Sequence, residues 1–448
     1  MLRIGFHDCL TYNDPLAERE FNGCDGCLNP TGMNVVHPPK GSFAPPNINT
    51  TDNNGLSHIA DILEEVFVNP DFPWGSPSLD ASMENKGMSR ADLWAFGSLV
   101  ALRSGVRNNN HDCNIDQQRS TGYVKGHCGH LRAGDPECEI EWPRMPEFKT
   151  GRTDCIPDID PEKPWQRWRA SKTEIQPRPD GNGPETVDFF KTNFGLDAKE
   201  AIALTLGAHS FGRFHSPISQ FRYHWSRRQD DIFNNQVVRH VALKPQYFTE
   251  CKKINGTWQF LYYGDAHGNE ANTSWLVAGG RFTENGGPYQ WFHVYDRCPA
   301  SNECAAINDG NNDPEFRKEP DTPPHCCQDL EPGMQCQPDC VKPIRNDETA
   351  LSSDVGFYMK FQVDQGGRPR GCEGLDYQYG ITKKVTCPKE DYAPEGVPLH
   401  NITSILADDQ VEFMKVYVDA HEKMINNGYK VEDLDDTNSD FWFNDWDY

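Results

Sequence analysis

The sequence contains no apolar run of about 18 residues, the length that a helix needs to span a bilayer. It also lacks an excess of basic residues, because 67 acidic residues against 43 basic ones give a formal net charge of -24. A chain this acidic repels phosphate backbones and anionic lipid. These absences argue against membrane insertion and against nucleic-acid binding, and the acidity by itself indicates solubility rather than a site for cations.

Zinc-finger spacing is missing as well. The only CxxC pair is formed by Cys24 and Cys27, and neither a second pair nor an HxxxH partner accompanies it. The 16 cysteines are nevertheless too many for an ordinary reduced cytosolic enzyme, and their even number suits full pairing. Asn-x-Ser/Thr sequons begin at Asn49, Asn255, Asn272 and Asn401. We therefore expect disulfides rather than zinc, and a secreted, extracellular location.

Helical periodicity dominates the pattern of apolar residues. It occurs over residues 53–66, 89–102, 197–209 and 409–426. Two of these segments begin with capping boxes, which Ser89 forms with Asp92 and Asp197 forms with Glu200. No segment shows a comparable strand alternation, so the sequence predicts a mainly α fold. Two tracts rich in Cys, Gly and Pro, roughly 104–186 and 285–345, are predicted to be disulfide-stapled loop insertions.

Arg3 and His7 lie four residues apart in LRIGFHDC, a spacing that places both side chains on one face of a helix. A histidine there can accept a proton from a bound peroxide and return it to the leaving oxygen. The neighbouring arginine can stabilise the charge that develops as the O–O bond breaks. Taken alone, an Arg/His pair at this spacing is usually an accidental surface arrangement.

Two further residues gain meaning only from their context. His209 lies near the end of an apolar helix in GAHSFGRFH, where an imidazole could reach an iron atom. A hydrogen-bonded core or helix-terminal histidine is the alternative. Asp354 in LSSDVGF opens a predicted helix, and by itself it indicates an N-cap.

Three motifs occur in one order: RxxFHDC at Arg3–Cys9, GCDG at Gly23–Gly26, and GAHSFGR from Gly207. In this the chain resembles the plant, fungal and bacterial-type haem peroxidases, from Leu2 to about Gly428. The resemblance implies a helical fold that holds haem b between a distal and a proximal half. It also implies an enzyme that reduces hydrogen peroxide and recovers the electrons singly from a small organic reductant.

The resemblance assigns a role to each of the residues above. Arg3 and His7 would be the distal arginine and histidine, and Asn53 in NNGL would accept a hydrogen bond from the second ring nitrogen of His7. His209 would be the axial iron ligand. Asp354 would accept a hydrogen bond from its other nitrogen, which increases the electron density that the imidazole donates to iron.

Other positions distinguish subfamilies. Phe6 stands where ascorbate peroxidases and catalase-peroxidases carry tryptophan, so strong catalase activity is not expected. Trp225 stands where cytochrome c peroxidase carries its radical-forming tryptophan, with a merely packed ring as the alternative. Ile218 replaces the arginine that binds ascorbate, which favours a phenolic or aromatic reductant. The motifs GCDGCLN, NNGL and SRADLWA are most similar to animal ascorbate peroxidase-like secreted proteins. Asp92 and Arg152 match positions that pair in the family.

Secreted relatives hold two calcium ions through oxygen ligands. The distal set retains Asp8, the carbonyl of Gly23 and Asp25, whereas Cys27 replaces a serine. On the proximal side, Asn234 replaces an aspartate. The resemblance therefore implies at most one calcium ion, on the distal side.

By the same resemblance, residues 1–190 form the distal half, with an N-terminus that we expect to be truncated and to lack its signal peptide. Residues 191–428 form the proximal half and contain the cysteine-rich insertion at about 285–345. Residues 429–448 are an acidic tail, interpreted as a solvated terminus or a binding segment. A catalytically silent extracellular haem-binding or adhesion protein with the same fold is the alternative to an active peroxidase.

Overall fold

The computed structural model describes about half of the chain, and all that follows refers to this part. It covers residues 1–10, 23–31, 33, 53–68, 88–118, 140–142, 144, 147–155, 168–169, 175–214, 225, 231–243, 250–254, 257–261, 273–278, 290–295, 344–364, 369–373 and 385–435. For residues 111–118 and most strand residues between 250 and 348, only the course of the backbone is described.

Helices are the most abundant elements of the described structure. They are α1 (Leu2–Asp8), α2 (Ser57–Val68), α3 (Arg90–Gln118), α4 (Gly183–Phe194), α5 (Ala198–Ala208), α6 (Gln236–Val241), α7 (Ser352–Val355), α8 (Leu399–Asp408) and α9 (Gln410–Ile425). The mainly α fold predicted from the sequence is thus confirmed. Among the described residues, no helix combines the length and the apolar character needed to cross a membrane.

The described strands form small antiparallel sheets. They are β1 (Glu250–Ile254), β2 (Thr257–Leu261), β3 (Thr273–Ala278), β4 (Gln290–Tyr295), β5 (Ile344–Leu351), β6 (Gln362–Val363) and β7 (Pro369–Arg370). Strands β1 and β2 pair with each other, β3–β4–β5 form a three-stranded sheet, and β6 pairs with β7. Strand β5 leads directly into α7, which packs against both β4 and β5.

Close helix packing positions the two helices that carry the motifs. Helix α1 packs on α3, where a Cβ atom added to Gly5 would lie 2.8 Å from Cβ of Ser98. Helix α5 packs on α9, where a Cβ atom at Gly207 would lie 2.4 Å from the ring of Tyr417. Because α9 contacts both α1 and α5, one helix supports both motif-bearing helices.

Both predicted capping boxes are present. The N–H of Asp92 donates to Oγ of Ser89 at 2.9 Å, and the N–H of Glu200 donates to Oδ1 of Asp197 at 2.8 Å. Helix α3 continues well beyond residue 102, where the apolar periodicity ends. The pair Asp92 and Arg152 is fully buried, with Nη1 of Arg152 2.9 Å from Oδ1 of Asp92.

Three disulfides link described cysteines: Cys9–Cys24, Cys27–Cys155 and Cys372–Cys387. The expectation of disulfides is therefore confirmed, and such bonds agree with an oxidising compartment. Cys24 and Cys27 therefore have different disulfide partners and are not bonded to each other. The acidic tail beyond residue 435 and most of the cysteine-rich insertion lie outside the described residues.

Candidate active site

Helix α1 carries His7 into the interior, where a buried asparagine fixes the orientation of its ring. Nδ1 of His7 lies 2.8 Å from Oδ1 of Asn53. Asn53 is fully buried, and its Nδ2 atom donates to the carbonyl of Asn29 at 3.2 Å. This bond turns Oδ1 of Asn53 toward His7. Since an amide oxygen can only accept, Nδ1 of His7 carries the hydrogen and Nε2 carries the lone pair.

The electrostatic surroundings keep His7 neutral. Burial and the positive charge of Arg3 lower the pKa of His7 to about 3, and the hydrogen bond that His7 donates to Asn53 offsets part of that change. Arg3 itself is exposed on the first turn of α1. The structure thus places the predicted distal pair side by side, with an imidazole that is free of a proton at Nε2 at neutral pH.

On the proximal side, His209 is the C-cap of α5. Its Nδ1 atom lies 3.0 Å from Oδ1 of Asp354, whose side chain is fully buried. The other carboxylate oxygen of Asp354 accepts from the backbone N–H of Leu351 at 2.8 Å. The N-cap interpretation of Asp354 is therefore wrong: the residue is the third of α7 and reaches back to the N–H of the residue before the helix.

Aromatic rings lie against both histidines. The ring of Trp225 stacks on that of His209, with centroids 3.8 Å apart and an interplanar angle of 7°. Phe214 packs against Trp225, with ring centroids 4.1 Å apart. Phe6 contacts His7 edge-on at 5.6 Å and packs on Phe190 of α4 at 5.9 Å.

A short segment joins the surroundings of the two histidines. Gln176 lies 3.3 Å from Nδ1 of His7, and the carbonyl of Pro179 accepts from the N–H of Ser353, next to Asp354, at 3.3 Å. Three residues of chain span at most about 11 Å. His7 and the residue next to Asp354 are therefore contacted by the two ends of one short stretch.

Helix α4 makes a second connection. Its Phe190 contacts Phe6 of α1, while its first residue packs against α7. There the backbones approach so closely that a Cβ atom at Gly183 would lie 2.1 Å from the carbonyl oxygen of Gly356. The segment 176–179 and helix α4 are thus two independent connections between the helix of His7 and the helix of Asp354.

These residues fit a b-type haem. Within the described part of the chain, Nε2 of neither histidine has a hydrogen-bond partner, while each Nδ1 is held by a dedicated oxygen acceptor. A neutral imidazole with its other nitrogen hydrogen-bonded to a carboxylate is the usual form of a metal-bound histidine. The rings of Phe6 and Trp225 add apolar surface on the two sides.

The predicted distal calcium ligands are close together. Oδ1 of Asp8 accepts from the backbone N–H groups of Asp25 at 3.3 Å and Cys27 at 3.1 Å. Gly23 lies in the same loop with a φ of +127°, a conformation that favours glycine. The sulfur of Cys27 is bonded to Cys155 and offers no oxygen ligand. The set therefore fits a calcium ion only in part.

Several residues of the site belong to no recognisable sequence pattern. Gln176 is separated from His7 by 169 positions and belongs to no motif. Asn29 contributes a backbone carbonyl, which no side-chain pattern reveals. Ile218 lies outside the described residues, as do the sequons at Asn49, Asn255 and Asn272.

A comparison with protein families matches residues 1–271 to the family described as Peroxidase. The matched region contains the distal motif and His209, whereas Asp354 lies beyond it. No curated protein was found to match the chain. The match extends over more than half of the sequence. The helical fold agrees with it, as do the hydrogen bonds of His7 with Asn53 and of His209 with Asp354. The chain therefore belongs to the peroxidase family, and it is a haem peroxidase that acts on hydrogen peroxide.

Proposed function

We propose that His7 moves the proton of hydrogen peroxide and that Arg3 stabilises the charge on the departing oxygen. The observation that carries this proposal is the hydrogen bond between His7 and the oriented amide of Asn53, at 2.8 Å. It keeps the hydrogen on Nδ1, so Nε2 can take the proton from one peroxide oxygen and deliver it to the other, which leaves as water. The depressed pKa of His7, about 3, keeps Nε2 free for that step.

On the proximal side, His209 would hold the haem iron through Nε2. Asp354 would accept the hydrogen of Nδ1 and so keep the imidazole strongly electron-donating. When bound, the haem supplies the iron that receives peroxide and stores two oxidising equivalents. Trp225, stacked in parallel on His209, is placed to carry one of these equivalents or simply to fix the ring.

The reductant is proposed to be a small phenol or another aromatic molecule. Ile218 offers no charge for an enediolate, and the partly buried ring of Phe6 provides aromatic surface instead. Steady-state oxidation of guaiacol should exceed that of ascorbate, and the reverse order would contradict the assignment.

Secretion and a distal calcium ion are further parts of the proposal. Asn401 is exposed in the first turn of α8, where a glycan could be attached. Protein from a secreting host should lose mass on deglycosylation, and the variant Asn401→Gln should lose less.

For calcium, Asp8 and Asp25 supply carboxylates. Metal analysis of the same protein should find about one calcium ion per chain, and none after Asp25→Ala.

The roles of the two histidines are tested by opposite outcomes. His7→Ala should slow the reaction of peroxide, followed at the Soret band, by about 10²–10⁴-fold while haem stays bound. His209→Ala should weaken haem binding itself. His58→Ala, an exposed histidine of α2, serves as the control and should change neither quantity. Unchanged haem affinity in His209→Ala would contradict the assignment of the axial ligand.

A further inference from the structure

Two side-chain amides face a single nitrogen of His7. Oδ1 of Asn53 lies 2.8 Å from Nδ1, and the amide of half-buried Gln176 lies 3.3 Å from the same atom. The role of Asn53 follows from its motif. Gln176 belongs to the segment 175–180 that precedes α4, and nothing in the family resemblance assigns it a role.

The hydrogen on Nδ1 decides how Gln176 can be oriented. Asn53 donates through Nδ2 to the carbonyl of Asn29, so its oxygen faces His7 and Nδ1 must donate. A protonated Nδ1 cannot accept a hydrogen bond from the NH₂ group of Gln176, and two donors at 3.3 Å would repel each other.

The opposite tautomer does not remove the conflict. With the hydrogen on Nε2, the NH₂ group of Gln176 could donate to Nδ1, but the lone pair of Nδ1 would then face the oxygen of Asn53 at 2.8 Å. A buried acceptor without a donor costs more than rotating a half-buried side chain. The oxygen and nitrogen of a glutamine amide exchange places by a half-turn, and the hydrogen-bond network decides between the two orientations.

We infer that Gln176 turns its Oε1 atom toward Nδ1 and acts, with Asn53, as the second acceptor of a three-centre hydrogen bond that holds His7 in its productive tautomer. Gln176 is then a positioning residue for the proton transfer. This inference rests on the proposed function, in which Nε2 of His7 is the atom that accepts the peroxide proton.

The surroundings of Gln176 support a fixed position. The N–H of Gly181 donates to the carbonyl of Arg178 at 3.1 Å, which closes a turn, and Pro179 is hydrogen-bonded to Ser353 of α7. The side chain of Arg178 is exposed and pairs with Asp180 at 3.2 Å. Arg178 therefore provides a control position two residues from Gln176.

Three variants of the haem-loaded enzyme test the inference: Gln176→Leu removes the acceptor at similar size, Gln176→Glu retains an acceptor that cannot donate, and Arg178→Gln is the control. The first measurement is NMR of ¹⁵N-histidine-labelled protein in its diamagnetic ferrous carbonyl form, with the His7 signals assigned from His7→Gln. The second is the rate constant of the ferric enzyme with peroxide. Soret absorbance per chain reports whether each variant is folded and loaded.

In the wild type, Nδ1 of His7 should be protonated. Gln176→Leu should move the Nδ1–H proton resonance upfield, which indicates a weaker hydrogen bond, and slow the peroxide reaction by about threefold to tenfold. Gln176→Glu should move the resonance downfield and keep the wild-type rate or exceed it. Arg178→Gln should match the wild type.

A bare Nδ1 in the wild type, or a Leu variant with both the wild-type resonance and the wild-type rate, would overturn the inference. An upfield shift of the Nδ1–H resonance in folded, haem-loaded Gln176→Glu would overturn it as well. Failure of the proposed function looks different. In that case the wild type reacts with peroxide no faster than His7→Ala, whatever the tautomer of His7.

Discussion

At the residue scale, the two histidines of the site are held alike but differ in their surroundings. Each donates its Nδ1 hydrogen to a buried oxygen, that of Asn53 at 2.8 Å or that of Asp354 at 3.0 Å. His7 donates to a neutral amide and feels the charge of Arg3, whereas His209 donates to a carboxylate. A neutral partner beside Arg3 suits a base that must release its proton again, and a carboxylate suits a ligand that must donate electron density.

The pKa of His7, about 3, predicts how the rate constant for peroxide depends on pH. Protonated His7 cannot accept a proton, so the rate constant for peroxide should be constant from neutral pH downward and fall only as the pH approaches 3. Asn53→Asp places a negative charge at Nδ1, which raises the pKa of His7 and moves the acid limb to higher pH. Stopped-flow rates after brief pH jumps measure both. A wild-type midpoint near the ordinary value of about 6.5 would contradict the account.

His421 of α9 makes a separate prediction about stability. It is fully buried beside Oγ of Ser98, and burial lowers its pKa to about 3. In the unfolded chain His421 binds a proton below about pH 6.5, whereas the folded protein resists this protonation down to about pH 3. The free energy of unfolding is therefore highest above about pH 6.5 and decreases as the pH falls toward 3. His421→Gln should make the free energy of unfolding less dependent on pH, by up to about 1.4 kcal/mol per pH unit.

Denaturant unfolding at three pH values between 7 and 4 measures that slope. His7 titrates with the same sign, so the variant should retain part of the dependence. The exposed control His58→Gln should keep the full slope. Equal slopes for His421→Gln and the wild type would show that His421 is not the group involved.

The sequence predicted the residues of the site better than their neighbours. Short spacings and motifs sufficed for Arg3 with His7, and for the order of Asn53, His209 and Asp354 along the chain. They could not indicate that Asp354 binds the N–H of Leu351, because that depends on where α7 begins. Contacts between distant positions, such as the one between Gln176 and His7, leave no local pattern.

At the scale of elements, α4 connects the helix of His7 with the helix of Asp354. It touches Phe6 of α1 through Phe190 and packs against α7 at Gly183. Helix α4 has a complete capping box from Asn182 and Glu185, which fixes its first turn where α7 packs against it. The position of Asp354 thus depends on a helix that carries no residue of the catalytic motifs.

Gly183→Ala tests this dependence. The added Cβ atom would lie 2.1 Å from the backbone of Gly356, so α4 and α7 must separate. We expect a loss of about 1–3 kcal/mol in the free energy of unfolding and weaker haem binding. Denaturant unfolding and haem titration measure the two effects.

Gly97→Ala is the matched control. A Cβ atom at this position of helix α3 would be in ordinary contact with the side chains of Met1, at 3.5 Å, and of Leu63, at 3.9 Å. It should be neutral or stabilising by up to about 1 kcal/mol. A Gly183→Ala protein with unchanged stability and haem affinity would show that the close approach of α4 and α7 is not required.

Elements were predictable where one face is apolar over several turns, as in α5 and α9. Helix α4 was missed because it mixes aromatic and charged residues within a loop-rich part of the sequence. The sheet β3–β4–β5 was missed because its strands are short and its third strand, IRNDETAL, is largely polar. Strand pairing depends on partners far away in the chain, which local alternation does not reveal.

At the scale of the whole molecule, Arg152 joins three parts of the fold. Its Nη1 atom donates to Asp92 of α3 at 2.9 Å, and its Nε atom donates to the carbonyl of Ile425, at the end of α9, at 2.8 Å. The residue itself belongs to the loop that carries Cys155. Disulfide Cys27–Cys155 ties the same loop to the distal motif across 128 positions. Sequence alone leaves such connectivity open, since many pairings of sixteen cysteines are conceivable.

Arg152→Met should destabilise the protein by about 3–5 kcal/mol, because it leaves the buried carboxylate of Asp92 without its counter-charge. Arg144→Met is the control: this arginine is 42% exposed and pairs with Asp419 and Glu422 at the surface. Its loss should cost at most about 1 kcal/mol. Unfolding free energies of the two variants should therefore differ clearly, and similar values would refute a structural role for the buried pair.

The central claim is that His7 and His209 face opposite sides of one haem. A crystal structure of the haem-loaded protein tests it most directly. The account predicts an iron atom bonded to Nε2 of His209, with Nε2 of His7 and the guanidinium of Arg3 above the other face and Asp354 still hydrogen-bonded to His209. A haem held by another residue, or both histidines on the same side of the porphyrin, would contradict it.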